Sequence, residues 1–214
     1  ISLKKFNTFG IDVKAAYMAE IENASDLLNL KDASLPEPFY CIGQGSNLLF
    51  TGDFGGTLIR FVNSGWEVIS RHEKDVVIRV DAGCIWDELV ELTLTEGYFG
   101  LENLSLIPGT VGSTPVQNIG AYGAEASQFI AGVHVFDRET QKFFDIENKD
   151  CDFGYRHSIF KSKPSWMVVS VDYRLKTVAA TSTHYKAVEE YLQKNNLDGR
   201  DPMVVRQAVI AIRE

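Results

Sequence analysis

The sequence predicts an α+β protein. A strand–helix–strand unit opens the chain, strand pairs that read as hairpins fill its middle, and two amphipathic helices close it. At 214 residues, 45% hydrophobic and 23% charged, it is long enough to bury a real core as one large domain or two small ones.

Each element has a local reason. Residues 4–10 (KKFNTFG) are a turn-rich lead-in and residues 15–21 a strand. Asn23 offers an N-cap with Asp26 three positions on, ahead of Leu27, Leu28 and Leu30 in a short helix that Pro36 and Pro38 close. A return strand over 39–42 completes a small βαβ unit, and 57–62 is a further strand. The turn Asn63-Ser64-Gly65 divides a first subdomain, 1–64, from a second, 65–214. Residues 66–70 and 76–82 form a hairpin. Residues 87–96 form a helix that lays Trp86, Leu89, Val90 and Thr93 along one face and ends at Gly97. A second hairpin spans 132–136 and 142–146, followed by a strand at 167–175. Helices follow at 187–194 and, after Asp201 as N-cap and Pro202 at the first helical position, at 203–213.

Charge and composition exclude several classes of function. A net charge of −8 is the wrong sign for a general nucleic-acid footprint. No unbroken apolar run is long enough to span a bilayer, and no charged-then-apolar leader opens the chain. Cys41, Cys84 and Cys151 are odd in number and far apart, which predicts small buried thiols in a reducing cytoplasm rather than a disulfide framework or zinc site. His72, His134, His157 and His184 show no metal-ligand spacing. The chain starts at Ile1 and ends on an apparent helix, so it reads as a trimmed protein or a fragment.

The chemistry concentrates in three stretches. In LIPGTVGSTPVQNIGAYG (106–123), glycines at 109, 112, 120 and 123 alternate with Ser113, Thr114, Gln117 and Asn118. Few helix or strand formers and many unblocked N–H groups make a loop that backbone can bring close to a ligand rich in acceptor oxygens, such as a diphosphate. A second glycine loop, GQGSNLL (43–49), follows the return strand. It lacks the third glycine of a dinucleotide fingerprint and the lysine of a P-loop. The third stretch, FGYRHSIFK (153–161), is an aromatic and cationic cluster.

Taken with NTFG (7–10) and GLENLS ahead of the long glycine stretch, these motifs resemble the UDP-N-acetylenolpyruvoylglucosamine reductase family of peptidoglycan precursor synthesis, in order and across almost the whole chain. The resemblance implies a two-subdomain FAD-binding fold of the vanillyl-alcohol-oxidase type, with a third, substrate-binding domain lacking here. It implies non-covalent FAD held by Gly43, Gly45, Ser46, Asn47 and Leu48, by Ile107, Pro108, Gly109, Gly112 and Ser113, and by Asn118, Ile119, Gly120, Tyr122 and Gly123. It further implies NADPH as reductant, UDP-N-acetylglucosamine enolpyruvate as substrate, a cytoplasmic monomer, Arg156 as the catalytic, substrate-binding arginine and Tyr185 over the UDP-sugar. The family's proton-donating serine and its supporting glutamate match nothing before Glu214, so the chain alone is expected to bind flavin without turning over. Two alternatives stay open: another flavin oxidase or dehydrogenase of the same fold, and a catalytically silent nucleotide-binding module. Flavins attached through His or Cys would mark the first, and neither residue lies in the glycine loops.

Overall fold

The computed structural model describes residues 1–30, 34–179 and 185–214. Strand β1 (Ala15–Ile21), helix α1 (Asp26–Asn29), β2 (Phe39–Cys41) and β3 (Phe54–Phe61) make a three-stranded parallel sheet in the order β1-β3-β2. The expected return strand is therefore present but does not pair with β1; β3 lies between them. Asn23 does not cap α1. Ser25 stands at that position without a side-chain bond, while the Asp26 carboxylate reaches back to the N–H groups of Glu22 and Asn23.

After residues 62–65 the chain builds an antiparallel sheet from β4 (Trp66–Arg71) and β5 (Asp75–Asp81), with helix α2 (Trp86–Thr95) packed against it. Helix α2 ends as expected: Gly97 has φ +75°, its N–H bonds Leu94 O, and Tyr98 N–H bonds Thr93 O. The stretch expected to be an open glycine loop is instead folded into short pieces. These are a 3-10 turn (Val111–Ser113), a single helical turn α3 (Thr114–Gln117), and a small hairpin of β6 (Gly120–Ala121) and β7 (Ala124–Glu125). The hairpin β8 (Ile130–Asp137) and β9 (Lys142–Glu147) follows. Strand β10 (Trp166–Lys176) then inserts between β5 and β8, giving the order β4-β5-β10-β8-β9. Helices α4 (Lys186–Lys194) and α5 (Pro202–Arg213) close the fold, with the Asp201 carboxylate accepting the Met203 N–H at the start of α5.

One face of the large sheet holds the main core. There Trp86 and Tyr173 are fully buried with ring centroids 5.8 Å apart, Trp86 Nε1–H bonds Leu104 O, and Tyr173 hydroxyl meets Thr114 Oγ1 at 2.6 Å. The small sheet buries Ile21, Leu27 and Ile59 against Phe136, Met167 and Val169, so the two sheets share apolar contacts. Of the three thiols only Cys151 is buried, and burial pushes it up to about 12; Cys84 is half-buried and Cys41 exposed, which corrects the expectation for both. None of the described helices is long and apolar enough to cross a membrane.

Across the large sheet runs a polar network. Arg79 pairs with Asp172 through two bonds of 2.8 and 3.0 Å, and His134 lies between Asp172, 3.0 Å from Nε2, and Asp145 on β9. Burial works to lower the His134 pKa, but the carboxylates of Asp172 and Asp145 outweigh it and hold the imidazole above its ordinary 6.5. Because the folded value is the higher one, the stabilisation is fully present below pH 6.5 and fades as pH rises through the folded pKa. Urea unfolding of His134→Gln should therefore show a deficit of about 1 kcal/mol at pH 5.5 that shrinks by pH 8.5. A deficit that grows with pH would reverse this assignment.

Candidate functional site

The site is assembled from two bends that sequence separates by about sixty residues. Strand β2 delivers residues 43–48, whose entry is fixed by the Ile42 N–H bond to Ile59 O. Gly45 has φ +65°, and a Cβ there would lie 2.0 Å from Phe6 O and 2.9 Å from Asn7 Cα. The partner that excludes a side chain is thus the N-terminal loop. Asn7 ties that loop shut, its amide bonding Leu3 O, Ile11 O and Ile11 N–H.

The second bend, 106–113, lies antiparallel along residues 82–86. Trp86 N–H donates to Gly109 O, Val111 N–H to Cys84 O and Gly112 N–H to Ala82 O, each at 2.9–3.0 Å. A Cβ on Gly112 would sit 2.7 Å from Ala82 Cβ, so this glycine too serves the protein's own packing. Gly109 has φ +136° and faces Ser113 Oγ.

The bends meet. Gly109 N–H donates to Gln44 Oε1 at 2.8 Å, and Ser46 Oγ–H to Pro108 O at 3.4 Å. A Cβ on Gly43 would lie 3.1 Å from Thr110 Oγ1. Between them the two loops divide the work unequally. The N–H groups of 109 and 111–113 are satisfied within the protein, whereas no N–H of residues 43–48 donates to another described residue. Loop 43–48 is therefore the better donor surface for phosphate oxygens.

The remaining candidates gather around a third knot. Asn118, fully buried at φ +42°, spends its amide on Glu125 Oε2, Gly154 O and the Ser127 N–H. Arg156, itself at φ +52°, sends Nη1 to Asn118 O at 3.3 Å and Nη2 to Gly120 O at 2.6 Å, while Lys161 Nζ bonds Arg156 O. Among the described residues no carboxylate pairs with Arg156, which leaves its other N–H groups for an anion. Gly120 has no room for a Cβ, since Arg156 Nη1 and Ala124 O would both lie 2.9 Å away. Tyr122 and Gly123, with φ of +48° and +81°, make the tip of the β6–β7 hairpin. Tyr185 packs edge-on against Tyr122 at 5.4 Å between centroids and stays partly exposed. Thr183 and His184, which precede Tyr185 in the sequence, lie outside the described residues.

Sequence reasoning placed Leu48, Ile107 and Ile119 in these segments but gave no role of their own to Gln44, Asn7 and Asp87; the partners of Gln44 and Asp87 are distant in sequence, whereas those of Asn7 lie four residues away on either side. Asp87, in the first turn of α2, accepts the Leu106 N–H and two bonds from Arg206 of 2.7 and 2.9 Å. Burial works to raise its pKa, but Arg206 and the Leu106 N–H prevail and keep it below the usual carboxylate range.

Similarity to known proteins defines the class: the two-sheet α+β architecture is an FAD-binding fold of the vanillyl-alcohol-oxidase type. The chain belongs to the FAD binding domain family, whose model matches residues 15–142. Over 216 aligned residues it is 42% identical to UDP-N-acetylenolpyruvoylglucosamine reductase of Pseudomonas fluorescens, covering 100% of this chain and 64% of that protein. The Chromobacterium violaceum protein of the same name is 38% identical, with 100% and 64% covered. The chain thus spans a little under two thirds of the curated relatives it matches. Among solved structures, UDP-N-acetylenolpyruvylglucosamine reductase from Thermus caldophilus superposes with a TM-score of 0.70 at 22% identity, covering 100% of this chain and 68% of that one. Cholesterol oxidase from B. sterolicum gives 0.51 at 10% identity over 74% and 34%.

The glycines carry a sharp expectation. Gly97→Ala strains a left-handed φ in open space and should cost about 1 kcal/mol, whereas Gly45→Ala adds backbone overlap and should cost at least about 2 kcal/mol more in urea unfolding. Equal losses would show that the N-terminal loop yields freely.

Proposed function

We propose that this chain is the FAD-holding part of a reductase that converts UDP-N-acetylglucosamine enolpyruvate to UDP-N-acetylmuramate, with NADPH as reductant. Support comes from the similarity of the entire chain to 64% of the length of a reductase of that name and, within the chain, from Arg156 set on the carbonyls of residues 118 and 120.

The donor set suits the cofactor. A pyrophosphate needs many N–H donors and no competing carboxylate, and the unpartnered amides of 43–48 next to Ser46 and Asn47 supply them. Residues 107–113 would form the opposite wall, with Asn118, Ile119, Gly120, Tyr122 and Gly123 beside the ring system. Bound FAD supplies hydride transfer from NADPH to the enolpyruvyl double bond.

The chain's own part in the chemistry falls to Arg156. Negative charge that develops next to the substrate carboxylate needs a fixed cation, and a guanidinium already clamped by two carbonyls spends little on reorganisation. Tyr185 is proposed to lie over the UDP-sugar. The proton donor is assigned to the part of the relatives' length that this chain does not span. A cytoplasmic location, supported by the three unpaired thiols, and a monomeric state complete the proposal.

Two measurements test it. Purified protein should show flavin absorbance, or acquire it with added FAD, and acid should release the flavin; a colourless protein that takes up none would end the reading. In the full-length protein, Arg156→Ala should leave flavin reduction by NADPH intact while lowering reduction of the enolpyruvyl substrate by roughly 10²–10³. Undiminished turnover would remove Arg156 from the mechanism.

A further inference from the structure

We propose that Arg206, on α5, is a positioning residue for the 106–109 bend, acting through Asp87 on the backbone of Leu106. The inference rests on the flavin reading above for its ligand, but the relay itself is visible in the chain alone.

Arg206 is 6% exposed, although arginine is seldom buried without a partner. Its guanidinium forks onto both Asp87 oxygens and comes within 3.5 Å of Glu91, one turn further along α2. The fork holds the Asp87 carboxylate in one orientation, and in that orientation Oδ1 also takes the Leu106 N–H. Leu106 needs such a restraint. Its φ of +58° is left-handed, a conformation that costs a residue with a Cβ roughly 1–2 kcal/mol.

What Leu106 fixes is the entry to the bend. Two residues on, Pro108 O accepts from Ser46; three residues on, Gly109 N–H donates to Gln44 and Gly109 O accepts from Trp86, the neighbour of Asp87. A guanidinium from the C-terminal helix therefore sets the register in which the two glycine bends face each other. Helix α5 also packs on the 3-10 turn Glu102–Leu104 that leads into the bend, so the relay and the helix contact act on the same stretch.

The test compares wild type with Arg206→Met and Arg206→Lys in the full-length protein. Arg206→Met fills similar volume without charge; Arg206→Lys keeps the charge and loses the planar fork. In Arg206→Met the Leu106 amide should exchange with solvent about tenfold faster while amides of β10 keep their wild-type rates, and the FAD dissociation constant should rise about tenfold, the order expected for one lost charge-assisted pair. Arg206→Lys should recover part of both effects, and it carries the comparison if Arg206→Met does not fold. Unchanged Leu106 exchange, equal acceleration at Leu106 and in β10, or unchanged FAD affinity would each overturn the proposal. Wild-type protein that takes up no FAD would sink the flavin reading instead, and the two failures are told apart because the Leu106 exchange rates need no cofactor.

Discussion

The molecule depends on a short backbone seam, residues 82–86 against 109–112. Three N–H···O bonds there lay a segment rich in glycine, and therefore costly to order, across the end of the large sheet. The seam works only because Gly112 lets the chain touch Ala82. With it in place, Gly109 meets Gln44 and the chain turns through α3 toward Asn118. Arg156 then finds two carbonyls at fixed positions. Without it the two bends would be independent loops.

Much of the fold was legible in the sequence because it is encoded locally. Strand β1 has the expected bounds, and helix α2 and the two hairpins lie within a few residues of expectation. Each announces itself through alternation, a helical apolar stripe or a glycine stop. What stayed hidden is nonlocal. The insertion of β3 between β1 and β2 depends on parallel pairing that no short window contains. The Asp87–Arg206 pair spans 119 positions, and neither residue has a neighbour that hints at the other. Asn23 does not cap α1 with its side chain; its backbone carbonyl takes the Asp26 N–H, and the Asp26 carboxylate accepts from the N–H groups of Glu22 and Asn23.

The glycines teach a narrower lesson about the site. Their pattern says correctly that side chains are unwelcome at 43, 45, 112 and 120, but not what occupies the space. At 45 it is the backbone of Phe6, at 112 it is Ala82, and at 120 it is Arg156 itself. Glycine spacing therefore reported the close approach of chain to chain, whereas the N–H groups that lack acceptors among the described residues lie at 43–48.

Strand β10 has an implication for synthesis on the ribosome. It is the middle strand of the large sheet, yet it is the last of the five to be made, and it pairs with β5 across roughly a hundred residues. Until Lys176 has left the exit tunnel, the β4–β5 and β8–β9 ribbons each present a bare inner edge and the Trp86 pocket lacks Tyr173. A nascent chain stalled between residues 147 and 166 holds both ribbons and none of the strand that joins them.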